Sequence, residues 1–204
     1  MTLVIAIDGP AAAGKGTLAR RLAAHLGLAH LDTGLLYRAV GRRVLLAGAD
    51  PSDPVVAAQA SEGLHLDDLA RPDLRGPAAD RAASAVAAIP AVRAALLAYQ
   101  RRVAAGGAVL DGRDIGTVVV PDAPIKLFVI ASLDARARRR WQEVGGVLGT
   151  VMAAMAARDA QDEQRAAAPL RPATDAVTID TSALTTDQVF ARAMEIVAAL
   201  TGFT

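Results

Sequence analysis

A glycine-rich segment near the start of the chain constrains the fold more than any other feature. It reads Gly9-Pro10-Ala11-Ala12-Ala13-Gly14-Lys15, so four residues separate two glycines and a lysine follows the second. Residues 3–7 before it are apolar and rich in β-branched side chains, which is typical of a strand buried on both faces. Residues 15–26 after it carry leucines four positions apart, which favours a helix with one apolar face. A strand, this loop and a helix in that order predict a phosphate-binding loop (P-loop).

The loop has a physical reason for its composition. Glycines let the backbone curl so that consecutive N–H groups face phosphate oxygens, and the start of the following helix adds a partial positive charge. Lys15 would neutralise the β- and γ-phosphates, and we expect residues 9–17 to bind ATP. Thr17, with Gly16 between it and the lysine, is a candidate Mg²⁺ ligand. The alternative, a glycine-rich turn that merely caps a helix, is disfavoured by the flanking strand, helix and lysine.

The rest of the chain alternates between strand and helix patterns. We predict further strands at residues 29–32, 108–110, 125–131 and 177–180. Helices are predicted at residues 33–47, 78–88, 90–104, 135–143, 151–165 and 186–200. Thr33 is expected to be the N-cap of its helix and Gly48 its stop, while prolines in residues 49–76 leave room for one short helix and irregular connections. Such alternation predicts an α/β fold with a parallel sheet and a ligand site at the carboxyl ends of its strands.

Composition excludes several classes of function. The chain has 22 Lys+Arg against 21 Asp+Glu and 3% aromatic residues, which offers neither a basic field nor stacking groups for nucleic acid. It has no cysteine, which rules out disulfides, thiolate chemistry and cysteine zinc sites. No stretch approaches the ~18 apolar residues of a membrane span. We therefore expect a cytoplasmic protein with no nucleic-acid or membrane partner.

Five further segments resemble the cytidylate kinase family in order and spacing. They are Leu31-Asp32-Thr33-Gly34-Leu35-Leu36-Tyr37-Arg38, Ala82-Ala83-Ser84 with Ile89-Pro90-Ala91-Val92-Arg93, Asp111-Gly112-Arg113-Asp114-Ile115-Gly116-Thr117, Arg136-Ala137-Arg138-Arg139-Arg140, and Arg158 to Arg165 leading into Ala168-Pro169-Leu170. The sequence Gly-Lys-Gly-Thr at the loop is similarly typical of nucleoside monophosphate kinases. Residues 48–75 look shorter than the corresponding arm of longer family members.

The resemblance implies a P-loop NTPase fold. Its parts would be a parallel five-stranded sheet flanked by helices, a nucleoside monophosphate-binding region and a short lid. The chain would form one kinase domain over residues 1–204, with the core in 1–32, 105–135 and 170–204, the monophosphate-binding region in about 33–104 and the lid in about 136–165. We expect a monomer.

The activity implied by the resemblance is Mg²⁺-dependent transfer of the γ-phosphoryl group of ATP to CMP or dCMP. Lys15, Arg113, Arg158 and Arg165 would be catalytic, and the residues in contact with CMP would be Thr33, Arg38, Ser84, Arg93, Arg113, Asp114, Arg158, Asp162 and Arg165. A carboxylate such as Asp114 accepts from the amine of cytosine but meets a carbonyl in uracil. Arginine forks match phosphate oxygens.

Several interpretations stay open at the level of sequence. Asp111-Gly112 is a hairpin signal by itself, although an acid at the end of a hydrophobic strand is also a usual Mg²⁺ ligand. Arg158, Asp162 and Arg165, spaced four and three apart, would share one helical face and could form a solvated salt-bridge ladder. The arginines of residues 136–140 are either such a solvated face or a lid that supplies one arginine to the transferred group.

The alternatives for the whole protein are a P-loop kinase for another acceptor, such as UMP or shikimate, and an ATP-binding module without rapid turnover. His25, His30 and His65 show no metal-ligand spacing, so the sequence assigns them no chemistry.

Overall fold

The computed structural model describes residues 2–64 and 66–202, so His65 lies outside the described residues. The strands are β1 (Val4–Asp8), β2 (Ala29–Asp32), β3 (Ala108–Gly112), β4 (Ile125–Ile130) and β5 (Val177–Asp180). The helices are α1 (Lys15–Leu26), α2 (Thr33–Leu46), α3 (Pro54–Ser61), α4 (Leu66–Leu69), α5 (Pro77–Ala87), α6 (Pro90–Ala105), α7 (Leu133–Val144), α8 (Leu148–Glu163) and α9 (Thr186–Thr201). A 3₁₀ turn spans Pro72–Leu74 and a turn of π-helix spans Ile115–Val119.

The five strands form one sheet in the order β2-β3-β1-β4-β5. β1 lies at its centre and runs parallel to β3 and β4, with Ile5 opposite Val109 and Ile125, and β4 runs parallel to β5. Ile5 and Ile7 are fully buried, which is why residues 4–7 of the strand are continuously apolar rather than alternating. The predicted strands and the parallel five-stranded sheet flanked by helices are confirmed.

The core joins the sheet to the first and last helices. Leu18 and Leu22 of α1 are almost fully buried against it, as are Val189, Ala193 and Ile196 of α9, the inner face predicted from the sequence. Each buried leucine or isoleucine contributes about 2 kcal/mol from the apolar surface it removes from water. A layer of buried aliphatic side chains thus lies between the sheet and these two helices.

The chain divides into two compact units, Met1–Leu31 with Val103–Thr204, and Asp32–Arg102. In the second unit α2 packs closely on α5, and a Cβ placed on Gly41 would lie 2.8 Å from the Cβ of Ala82. Arg43 of α2 organises the segment predicted to be irregular. Its guanidinium donates to the carbonyl oxygens of residues 60, 62 and 63 and to Asp68. This segment contains a short helix, as predicted, and in addition the single turns α4 and Pro72–Leu74. The functional division into core, monophosphate-binding region and lid stays a prediction.

Two local predictions are wrong. Thr33 is the first residue of α2 rather than its N-cap, because β2 runs directly into the helix and Asp32 takes the cap position with extended backbone. The helix predicted at residues 151–165 ends at Glu163, so Arg165 lies beyond it. The chain turns back there, and the backbone N–H of Leu170 donates to the carbonyl oxygen of Asp162, which satisfies the helix end in place of a further turn.

In the part of the chain that the structure describes, no single helix is long and apolar enough to cross a membrane. The pair α5 and α6, taken together, passes the same test of length and composition, but it is bent by 97° at its break.

Candidate active site

The glycine loop between β1 and α1 owes its path to two glycines. A Cβ on Gly9 would lie 2.0 Å from the carbonyl oxygen of Val129 in β4, so no larger residue can leave β1 in this direction. Gly14, with φ +92°, occupies the cap position of α1 and supplies no side-chain cap to the first turn. The first amide groups of a helix have no partner within the helix, so the start of α1 suits an anion bound in the loop.

Lys15 folds back over this loop. Its Nζ donates to the carbonyl oxygen of Pro10 at 3.3 Å, and its side chain is partly exposed. Thr17 lies two residues further along, exposed in the first turn of α1. The ammonium group, the loop amides and a hydroxyl thus belong to one short stretch of chain.

Three side chains from elsewhere in the chain bind the carbonyl oxygens of residues 11–13 of the loop. Arg136 and Arg139 of α7 reach those of residues 11 and 12 at 3.4 and 3.5 Å, and the Thr181 hydroxyl donates to that of residue 13 at 2.9 Å. Arg139 also bonds the Thr181 hydroxyl and carbonyl, which ties α7 to the end of β5. Donors that fix consecutive carbonyls on one side also fix the directions of the adjoining amides.

The arginines of α7 therefore fall into two groups. Arg136 and Arg139 face the glycine loop, and Arg136 is buried and paired with Asp159. Arg138 and Arg140 form local ion pairs with the exposed carboxylates Asp134 and Glu143. The sequence left open which of these arginines could act on a ligand, and the first group is the one beside the loop.

A buried ion cluster surrounds Asp162 near the end of α8. One carboxylate oxygen accepts from Nε of Arg113 at 2.8 Å, and the other accepts from Arg165 at 2.7 Å. Arg113 also donates to the carbonyl oxygen of Gly9 at 2.9 Å. The Asp162 and Arg165 side chains are only 7% and 8% exposed, so the solvated ladder is ruled out. The cluster is joined directly to the first glycine of the loop.

The electrostatics of the cluster favour an anion. Burial by itself raises the pKa of Asp162, but the positive charges of Arg113 and Arg165, with a smaller contribution from Arg158, hold the pKa below its ordinary value of 3.8. Arg113 and Arg165 share this single carboxylate in a partly desolvated place, so it balances only one of their two charges. A phosphate group would complete the neutralisation.

Asp111 and His30 form a pair on neighbouring strands. The buried Asp111 carboxylate is 2.7 Å from Nε2 of His30 through Oδ1, and its Oδ2 lies 3.6 Å from where a Cβ of Gly16 would stand. Asp111 and Gly112 continue β3 beside β1, so the hairpin interpretation is wrong. His30, to which the sequence assigned no chemistry, is a functional candidate that only its β2 position beside β3 reveals.

These groups suit Mg²⁺. The described residues contain no cluster of three or more His, Cys, Asp or Glu side chains that would form an all-protein metal cage. Mg²⁺ is commonly held by one or two protein oxygens, several waters and substrate phosphates. Asp111, pointing at the first turn of α1, and the exposed Thr17 hydroxyl match that kind of site.

Asp114 and Asp8 shape the turn after β3. Asp114 is buried, and the next two backbone N–H groups, those of Ile115 and Gly116, donate to the two carboxylate oxygens of Asp8 at 2.7 and 2.8 Å. Asp8 therefore anchors the turn that carries Arg113 and Asp114. The sequence analysis missed it, although an acid at the end of a buried strand beside the loop was a visible signal.

Asp8 gives a testable dependence of stability on pH. Burial raises its pKa from 3.8 to about 6, because desolvation outweighs the two backbone hydrogen bonds. The folded state therefore binds this proton more tightly than the unfolded state does. The protonated Asp8 makes its whole contribution to the free energy of unfolding below pH 3.8, and this contribution is lost as the pH rises through about 6. Two pKa units correspond to about 3 kcal/mol.

Asp8→Asn cannot titrate at this position, so it does not lose stability in this way. We therefore expect its free energy of unfolding to rise relative to that of the unsubstituted protein as the pH rises from about 4 to about 6. This is the interval between the ordinary and the raised pKa of Asp8. Urea unfolding of both proteins at several pH values measures this difference. A difference that is constant with pH, or that changes in the opposite direction, would contradict the prediction.

In the second unit, three of the predicted site residues lie around α5. Arg38 of α2 pairs with the Asp80 carboxylate at 2.8 Å, and the hydroxyl of Ser84 donates to the carbonyl oxygen of Asp80 at 3.0 Å. Arg93 of α6 lies over the ring of Tyr37 at 5.8 Å. Thr33, at the start of α2, is also a predicted CMP contact, but only 3% of its surface is exposed. The structure thus brings Arg38 and Ser84 to one carboxyl-bearing residue of this unit.

A parallel sheet with a glycine loop leading from its central strand into a helix, and with arginines beside that loop, defines a P-loop protein of the kinase type. The shikimate kinase of Bacteroides thetaiotaomicron has the same fold, with a TM-score of 0.52, 13% identity and full coverage of both chains. The cytidylate kinase family model matches residues 5–199, and the chain belongs to this family.

Relatives at high identity agree with this assignment. The cytidylate kinase of Granulibacter bethesdensis is 62% identical, with 97% of each chain covered. That of Paramagnetospirillum magneticum is 58% identical over 97% of this chain and 98% of the relative. The resemblance found in the sequence motifs is confirmed.

Proposed function

We propose that this protein catalyses Mg²⁺-dependent transfer of the γ-phosphoryl group of ATP to CMP or dCMP, giving CDP or dCDP. The observation that carries the proposal is the direct connection of an anion-binding loop to a buried arginine cluster, made by Arg113 between Gly9 and Asp162. Family membership and relatives named cytidylate kinase support the choice of acceptor.

On the donor side, the amides of residues 9–17 would bind the ATP phosphates, and Lys15 would neutralise their charge. Thr17 and Asp111 would hold Mg²⁺, directly or through water. When bound, Mg²⁺ supplies positive charge that orients the phosphates and offsets the charge that develops during transfer. Arg136 and Arg139 are the arginines of α7 that we assign to the donor side, because both bond the backbone of the loop.

For CMP, the proposed contacts fall into two chemical groups. Arg38, Arg113, Arg158 and Arg165 would bind the acceptor phosphate or the transferred group. Ser84, Arg93 and Asp114 would recognise the cytosine edge, Asp162 would bind a sugar hydroxyl, and Thr33 would support the site from the start of α2. Asp162 is already bonded to two arginines, so the sugar contact would add to that network.

The reaction needs little covalent chemistry from the protein. We propose direct in-line transfer without a covalent enzyme intermediate, because the residues named here are suited to positioning and charge stabilisation. The arginines and Lys15 would stabilise the equatorial oxygens, and closure of the predicted lid would exclude water as a competing acceptor.

An acceptor panel tests the function. ADP release coupled to a spectrophotometric readout, with ATP and Mg²⁺ present, should be fastest with CMP and dCMP and slower with UMP, other nucleoside monophosphates and shikimate. A faster rate with another acceptor would show a different P-loop kinase. Slow release with every acceptor despite tight ATP binding would show a nucleotide-binding module.

Asp114 should control the choice of base. We expect Asp114→Ala to lower the preference for CMP over UMP, measured as the ratio of their kcat/KM values, by about tenfold. The substitution removes the acceptor for the cytosine amine. It also removes the carboxylate that would repel the uracil carbonyl. Asp122→Ala, an exposed aspartate of the following turn, is the matched control. An unchanged ratio in matched steady-state assays would contradict the role of Asp114.

We further propose that the protein acts as a monomer in the cytoplasm, where its nucleotide substrates are found, without a nucleic-acid or membrane partner. Light scattering at micromolar concentration tests the oligomeric state. A dimer mass would contradict it.

A further inference from the structure

We propose that His30 is a positioning residue for the metal-binding carboxylate: its Nε2–H fixes Oδ1 of Asp111 and so sets the direction in which that carboxylate meets Mg²⁺. This inference rests on the proposed role of Asp111. It assigns a function to a histidine for which the sequence pattern gave none.

The sheet places His30 and Asp111 next to each other. β2 is the neighbour of β3 in the sheet, and His30 lies in β2 while Asp111 lies next to the end of β3. Their side chains meet at 2.7 Å, a short hydrogen bond, in the tautomer that places the hydrogen on Nε2. The Asp111 side chain is 4% exposed and that of His30 is 21% exposed, so the bond is largely shielded from water.

The hydrogen bond to His30 leaves the second oxygen of the Asp111 carboxylate facing α1. With Oδ1 bonded to His30, Oδ2 points toward Gly16, where a Cβ would stand 3.6 Å away. Thr17, the other proposed metal ligand, is the next residue. A carboxylate rotated about its Cβ–Cγ bond would no longer present Oδ2 to the first turn of α1, and a hydrogen bond to Oδ1 opposes that rotation.

Metal binding depends on the groups that orient the metal ligands. Groups that hydrogen-bond a ligating side chain orient it, and their removal typically weakens metal binding by about tenfold or more. His30 stands in that relation to Asp111. Oxygen-ligand sites for Mg²⁺ are sensitive to such orientation, because the ion demands a nearly regular octahedron.

The test uses the full chain and ADP, so it does not depend on the acceptor. Titration calorimetry at one fixed pH measures ADP affinity over a series of Mg²⁺ concentrations and, separately, in EDTA. We expect His30→Leu to raise the Mg²⁺ concentration needed for tight ADP binding by about tenfold, with the affinity in EDTA unchanged. His30→Gln, whose amide can place a donor near the position of Nε2, should restore most of the Mg²⁺ effect. If the leucine variant does not fold, His30→Asn, which is too short to reach Asp111, replaces it.

The Asp111→Asn background separates the possible failures. If His30 acts through Asp111, adding His30→Leu to Asp111→Asn should cause no further change in the Mg²⁺ requirement. An undiminished effect in that background, equal losses with Mg²⁺ and with EDTA, or a glutamine variant as impaired as the leucine variant would overturn the proposal. If Asp111→Asn leaves the Mg²⁺ requirement unaltered, the metal role of Asp111 fails and the role of His30 fails with it, whichever acceptor the enzyme uses.

Discussion

Lys15→Ala is expected to lower the turnover of CMP phosphorylation by about three orders of magnitude. The ammonium group lies beside the glycine loop, 3.3 Å from the carbonyl oxygen of Pro10, and in the proposed function it would stabilise charge on the β- and γ-phosphates. Because that charge grows in the transition state, the loss should fall mainly on kcat. ATP affinity should fall much less.

The measurement is a steady-state assay over ATP and CMP concentrations, accompanied by a melting curve to confirm that the variant is folded. Arg192→Ala is the control for loss of one positive charge, because Arg192 forms an exposed ion pair with Glu195 in α9. Turnover near that of the control would contradict the role of Lys15.

Asp162→Asn is expected to destabilise the ligand-free protein by about 3 kcal/mol, because it leaves Arg113 and Arg165 buried without their shared counter-charge. For a chain of this size, that corresponds to a melting temperature lower by about 10 °C. Inorganic phosphate should raise the melting temperature of the variant more than that of the unsubstituted protein, because an anion replaces the missing carboxylate.

The pH dependence of this effect follows from the lowered pKa of Asp162. The ionised carboxylate stabilises the fold above the ordinary pKa of 3.8, and this stability is lost as the pH falls through the lower folded value. The two proteins should therefore converge in stability only below that ordinary value.

Asp134→Asn serves as the control for Asp162→Asn, because it removes the carboxylate of an exposed ion pair with Arg138, and it should change the melting temperature little. Equal effects of the two substitutions, or no added response to phosphate, would contradict the anion site.

Much of the fold could be predicted because local pattern and burial agree in this chain. The β-branched run of β1 is apolar throughout and lies at the centre of the sheet, and α1 was placed correctly at both ends. The boundaries that failed are those decided by neighbours in space. Asp32 rather than Thr33 occupies the cap of α2 because β2 ends there, and α8 stops before Arg165 because Leu170 returns to the carbonyl oxygen of Asp162.

The candidate site divides in the same way. Residues 9–17 were predicted as one anion-binding loop because every part of that motif is contiguous, and a contiguous motif carries its geometry in its own backbone. Two of the groups that hold the loop and its neighbouring turn, Thr181 and Asp8, were not predicted. Each bonds a partner more than a hundred residues away in the chain, and although Asp8 visibly ends a buried strand, nothing local shows that its partners are the amides of residues 115 and 116.

By itself, the sequence determined the class of this protein: a strand, a glycine loop with one lysine, and a helix, followed by motifs typical of one kinase family. Only the tertiary structure decided which charged groups meet. It placed Asp162 between two arginines, Asp111 beside His30, and two of the arginines of α7 on the loop. Motif spacing is a local property of the chain, whereas the desolvation and pairing of charges depend on which distant strands and helices pack together.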